Sequence, residues 1–108
     1  ASRVLRRLEP RPLRPDEFWI QDRVRLLAKF EGIRSVPVMV VERDEPLAMA
    51  VGGNRAAILL SRGMLQLLDR EELETTIAHE LMHLKHHDAE FKVFSTVCSR
   101  ILFFDPFS

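Results

Sequence analysis

His79-Glu80-Leu81-Met82-His83 sets the tightest limit on how this 108-residue chain can fold. Residues four apart lie on one face of an α-helix, about 6 Å from each other. In a helix, then, the two imidazoles face the same way and can grip one metal ion, leaving other positions for a water and a further donor. Glu80 projects beside that ion, where a carboxylate can take a proton from a bound water. This layout suits metal-assisted hydrolysis of peptide bonds. The bland alternative is a surface helix with two solvated histidines and a glutamate.

The neighbouring residues favour the first reading. Asp69 with Glu72 three residues later forms a capping-box pattern that starts a helix just before Leu73. Leu73, Ile77, Leu81 and Leu84 then fall on one stripe at the 3.6-residue period. His79 and His83 lie well away from that stripe on the helical wheel, and Glu80 lies between the two groups. One face can pack while the other looks into a cleft. Thr76 to Ala78 and Leu81, Met82 and Leu84 are uncharged, as a dry site requires.

Composition restricts the function classes. The chain is 46% hydrophobic and 30% charged, ordinary for a single globular domain. Sixteen basic residues balance sixteen acidic ones, so no overall charge argues for nucleic acid. The local exception is Arg3, Arg6, Arg7, Arg11 and Arg14, opposed only by Glu9. These read as a solvated arm, with an acidic surface or lipid headgroup as the rival. Cys98 is the only cysteine, which excludes an intrachain disulfide, and its apolar surroundings suggest a buried thiol. The most apolar segment, residues 91–104, is too short to span a bilayer and carries Lys92 and Arg100, and no signal peptide is evident.

Along the chain, residues 1–15 hold Pro10, Pro12 and Pro15 with the arginines and read as an extended basic arm, with 16–106 as the globular part of one domain spanning 1–108. Asp16 can cap a helix over 16–31 that Gly32 ends, Trp19 being a core or arm-packing anchor. Residues 35–42, 47–51 and 56–60 read as strands, the last two joined by the turn Gly52-Gly53-Asn54-Arg55. A short helix over 61–68, the motif helix over 69–87 and a last helix over 89–104, capped by Asp88 and ended by Asp105-Pro106, complete the chain. The expectation is an α+β fold with a small three-stranded sheet packed on the helix that carries the motif.

Two histidines do not complete a catalytic metal site; a third protein donor is normally needed. His86, His87, Asp88, Glu90 and Asp105 are the candidates. On a straight helix His87 lies ~12 Å and Glu90 ~16 Å along the axis from His79, too far to share an ion with both histidines. The metzincin continuation, a glycine three residues after the second histidine and a third histidine three beyond, is excluded because His86 and Ala89 occupy those positions. The third donor is absent, reached by a fold-back, or lent by a neighbour. Leu47, Ala48, Met49 and Ala50 could form a sheet edge on which a peptide adds as a strand, or could be plain core.

Ile58-Leu59-Leu60-Ser61-Arg62-Gly63-Met64-Leu65, then Leu68-Asp69-Arg70-Glu71-Glu72-Leu73, then residues 77–88 resemble the catalytic core of gluzincin peptidases. The nearest resemblance is to the integral-membrane CAAX prenyl peptidases with their HtpX-like relatives, the β-lactam sensor-transducer peptidases, and the soluble minigluzincins. Phe104-Asp105-Pro106 resembles the aromatic-x-Pro that follows the motif helix in the sensor-transducer group. The resemblance covers roughly residues 46–106. It implies a zincin-like fold and a zinc-dependent endopeptidase in which His79 and His83 bind the zinc and Glu80 is the general base. It also implies that the strand near 47–50 is the substrate rim. In the membrane-bound families the third ligand, usually a glutamate, lies on a later helix, and the flanking transmembrane helices have no counterpart here. The expectation is a truncated piece of such a peptidase or a minimal, latent relative, acting on peptides or proteins and either cytoplasmic or a cytoplasmic-facing domain of a membrane peptidase. The rival is a catalytically inactive metal-binding module with a regulatory or interaction role. Self-association through the C-terminal segment is a third reading.

Overall fold

The computed structural model describes residues 8–87 and 93–96. The described elements are β1 (Arg11–Pro12), a 3-10 turn (Pro15–Glu17), α1 (Phe18–Glu31), β2 (Val38–Val41), β3 (Ala48–Val51), β4 (Ala57–Ser61), α2 (Arg62–Leu67), α3 (Arg70–His87) and β5 (Val93–Thr96). The fold is α+β, as expected, but the sheet has five strands rather than three, in the order β1-β2-β4-β3-β5. Only β2 and β4 run parallel, Val38 facing Ile58 and Val41 facing Ser61; the other pairs are antiparallel.

Both extra strands correct the sequence reading. The expected helix over 89–104 is overturned at Val93–Thr96, which pairs with β3 as Val51↔Val93 and Ala48↔Thr96. Val93 and Thr96 are β-branched and Phe94 aromatic, residues that suit a pleated surface better than a helix, and the sheet offers them a partner. The rest of that segment, including Cys98, the Asp88 cap and Asp105-Pro106, lies outside the described residues. At the opposite edge Arg11 and Pro12 pair with Val40 and Met39. Proline is tolerated there because an edge strand needs no N–H on its outer side.

The strands' period of two sorts their side chains. Val38, Ala48, Ala50, Ile58 and Leu60 join Ile20 and Val24 of α1 and Leu73, Ile77, Leu81 and Leu84 of α3 in one core. Val51, Ala57 and Leu59 point to the other face, where Leu8, Met39 and Met49 pack on them. Ala48 and Ala50 are small and fully buried, which lets α3 lie close on β3. α1 ends as expected, with Gly32 at φ 72° and the Ile33 N–H donating to Ala28 O at 2.9 Å. Gln21 fastens α1 to β2 by donating to Val36 O at 2.9 Å and accepting from Val38 N at 2.8 Å. Trp19 is half-buried against the core, and the Arg70 guanidinium sits 4.1 Å over its ring, tying the start of α3 to α1.

Arg11 is not solvated, contrary to the reading of the whole arm as free. Its guanidinium donates to Glu17 Oε1 at 2.9 Å and Oε2 at 3.1 Å, and also to Glu42. Those bonds from Arg11 hold the Glu17 carboxyl below its ordinary 4.5. A carboxyl lowered on folding adds stability that is full above its ordinary value and lost as pH falls through the folded one. Acidification below pH 4.5 should therefore lower the melting temperature of the wild type more than that of Arg11→Leu. Parallel melting curves against pH for the two proteins would remove this bracket from the stability account.

Candidate metal centre

The site is built from the start of α3. Glu72 N donates to Asp69 Oδ1 at 2.8 Å and Asp69 N donates to Glu72 Oε1 at 3.0 Å, the reciprocal box read from the sequence. Glu71 and Glu72 place negative charge in the first turn, where the helix dipole favours it. Thr75 and Thr76 donate their hydroxyls back to Glu71 O and Glu72 O, both at 3.1 Å, so Thr76 is committed to its own helix. Leu73, Ile77, Leu81 and Leu84 are all buried, which fixes the helix about its axis.

With that stripe held down, His79 and His83 come together. Their ring centroids are 4.8 Å apart, with ring planes inclined at 56°. Both residues are half-buried, and His79 Nε2 and His83 Nδ1 are shielded from solvent. Glu80 has no exposed surface, and its Oε2 is likewise shielded. Two imidazoles on one tetrahedral ion, each bonded at ~2.0 Å, have centroids ~5 Å apart. The observed 4.8 Å fits that requirement without rearrangement of the helix. The two imidazole nitrogens are donors a zinc ion accepts, and the carboxylate on the neighbouring residue is left for proton transfer.

The third donor does not emerge from the described residues, among which no group of three or more His, Cys, Asp or Glu is placed to hold a metal. His86 is exposed, three residues beyond His83. The side chain of His87, together with Asp88, Glu90 and Asp105, lies outside the described residues. The structure thus brings together His79, Glu80 and His83 and leaves His86 apart.

The presumed substrate edge is also revised. β3 is hydrogen-bonded to β4 on one side and to β5 on the other, so it is an inner strand. A peptide can add along β3 only where β5 has left. The sequence hides this because residues 89–104 read as a helix; the run Val93-Phe94-Ser95-Thr96 is the signal that points to a strand.

The chain belongs to the BlaR1 peptidase M56 family, which matches residues 22–108 and so includes all of α3. It is similar to the protease HtpX homolog of Aeropyrum pernix, 40% identical over 76 residues, 68% of this chain and 24% of that protein. The protease HtpX homolog of Thermococcus sibiricus is 38% identical over 76 residues, 68% of this chain and 26% of that protein. The one from Methanocaldococcus jannaschii is 38% identical over 72 residues, 65% of this chain and 25% of that protein. The chain therefore spans about a quarter of the length of these relatives.

Proposed function

We propose that this chain is the zincin-like catalytic domain of a zinc-dependent metallopeptidase, with His79 and His83 as zinc ligands and Glu80 as general base. The observation that carries the reading is the imidazole pair at 4.8 Å beside a wholly buried carboxylate on the same helix. A zinc ion held by His79 and His83 would supply Lewis-acid chemistry, polarising the scissile carbonyl and lowering the pKa of the attacking water. Glu80 receives that water's proton and hands it to the leaving amine. Its burial keeps the proton from exchanging with bulk solvent during the transfer. The stripe on the sheet holds both imidazoles in register, so little ordering remains when metal binds. With α3 helical through His87, the third ligand is supplied by Asp88, Glu90 or Asp105, or from outside this chain. The substrate is a peptide or protein segment on the cytoplasmic side.

The test is zinc content per chain after dialysis, in the wild type and in His83→Ala. About one zinc per chain, lost in the variant, is expected for a structured site. No retained zinc in the wild type would refute the site as an autonomous metal centre. A second reading, an inactive metal-binding module, is favoured by the donor set stopping at two among the described residues. Zinc retention without cleavage of an unfolded casein substrate would select it.

A further inference from the structure

We propose that a cavity at the amino ends of β2 and β4 binds a small organic anion, with the oxyanion head at Arg34. The topology builds it. β2 and β4 are parallel neighbours, with Val38 facing Ile58, so the segments that lead into them, 32–37 and 52–56, meet at one end of the sheet. Ile58 N donates to Pro37 O at 3.0 Å and Gln21 donates to Val36 O at 2.9 Å, which fixes the first segment. The second is the turn from β3 to β4, bent at Gly53 with φ 94°. Between them lies a cavity of about 650 Å³, within the ~300–1,000 Å³ of small-molecule sites.

The lining has two characters. Ile33, Val36 and Leu84 give it an apolar side, Val36 and Leu84 being buried against the core. Arg34, Ser35 and Asn54 are exposed and stand at its mouth. Among the described residues, no hydrogen bond or ion pair engages these three side chains or the N–H groups of Gly53 and Asn54. Arg34 alone of the described lining residues is charged. A guanidinium offers paired N–H groups that match a carboxylate or a phosphate, and turn N–H groups add to such an anion site. A cation would meet no carboxylate there. A neutral apolar molecule would cover Ile33 and Leu84 but leave the guanidinium without a counter-charge. A carboxylate or phosphate ester on a short apolar body satisfies both sides. The bland alternative is a crevice filled by solvent. None of these residues belongs to the group at His79, Glu80 and His83, so the proposal stands apart from the catalytic reading.

The experiment is isothermal titration calorimetry of the full chain with phenyl phosphate, benzoate and inorganic phosphate. Binding of an organic anion at one per chain is expected, at least ~10-fold tighter than inorganic phosphate, which covers none of the apolar side. Tighter phenyl phosphate assigns the cavity to phosphate esters, and tighter benzoate assigns it to carboxylates. Arg34→Gln should weaken binding ~10-fold or more, as loss of a charge-assisted hydrogen bond does, and Asn54→Ala about fivefold. Both side chains are exposed, so circular dichroism should show the variants folded. His83→Ala should bind as the wild type does. No binding of either organic anion, or equal binding by the wild type and Arg34→Gln, would overturn the proposal. So would loss of binding in His83→Ala, which would place the anion on the metal centre instead.

Discussion

Replacing Glu80 by Gln is expected to leave zinc content at the wild-type level and to slow peptide hydrolysis by about 10²–10⁴-fold, the usual contribution of a positioned general base. Glutamine has nearly the same shape as the fully buried glutamate and leaves His79 and His83 untouched, so metal binding and folding should persist. What it cannot do is accept the water's proton. Glu80→Asp offers a graded control. The carboxylate survives but is drawn back by one methylene, and a displacement of about 1 Å at a reacting group can cost ~10²-fold. Aspartate should therefore fall between wild type and glutamine at equal zinc occupancy. Wild-type turnover by the glutamine variant would end the assignment of Glu80, even with the metal site intact.

The largest effect on stability is expected at Gly63→Ala. Gly63 is buried in α2, and a Cβ there would stand 1.9 Å from the backbone oxygen of Asp44 and 2.6 Å from its carbonyl carbon. Neither atom is the end of a flexible side chain, so the whole 42–47 segment would have to move. That segment is held firmly. Gly63 N donates to Arg43 O at 2.9 Å, and Ser61 Oγ donates to Glu45 O at 2.6 Å while accepting from Leu47 N at 2.8 Å. Overpacking together with such broken hydrogen bonds should cost about 3 kcal/mol. For a domain of this size that lowers Tm by about 12–24 °C. A shift in a urea melt below ~0.5 kcal/mol would show instead that the segment yields freely.

Gly63 also illustrates what was legible in the sequence. The run Ser61-Arg62-Gly63-Met64 stood out as a marker, yet nothing in it reveals that the Asp44 backbone presses against the glycine. Elements defined by local chemistry were readable: the Asp69–Glu72 box, the Gly32 terminus, and the buried stripe from Leu73 to Leu84. The His79–Glu80–His83 grouping was readable for the same reason, since its spacing is a property of one helix. Properties that depend on distant partners were not. The parallel pairing of β2 with β4 places Val38 beside Ile58 across the intervening β3 hairpin, and no local pattern encodes that order. β1 owes its place to Arg11 finding Glu17 and Glu42. β5 was hidden because the mostly apolar stretch 91–104, broken by only a few polar residues, reads equally as a buried helix.

A helix is a screw, and the bearing of His79 and His83 depends on which end of it is clamped. The cap at Asp69 sets where the thread begins, while the flank from Ile77 to Leu84 sets which way it points. A residue inserted between Glu74 and Thr75 would set these two controls against each other by ~100° of rotation. The cap is worth about 1 kcal/mol. Each buried leucine or isoleucine of the flank is worth about 1.5–3 kcal/mol, and Ile77, Leu81 and Leu84 act together. The flank should win, the thread would be recut at its first turn, and the imidazoles would keep their heading. Tolerance to insertion upstream of Ile77, with abrupt loss of the site for an insertion between His79 and His83, follows from where the screw is held.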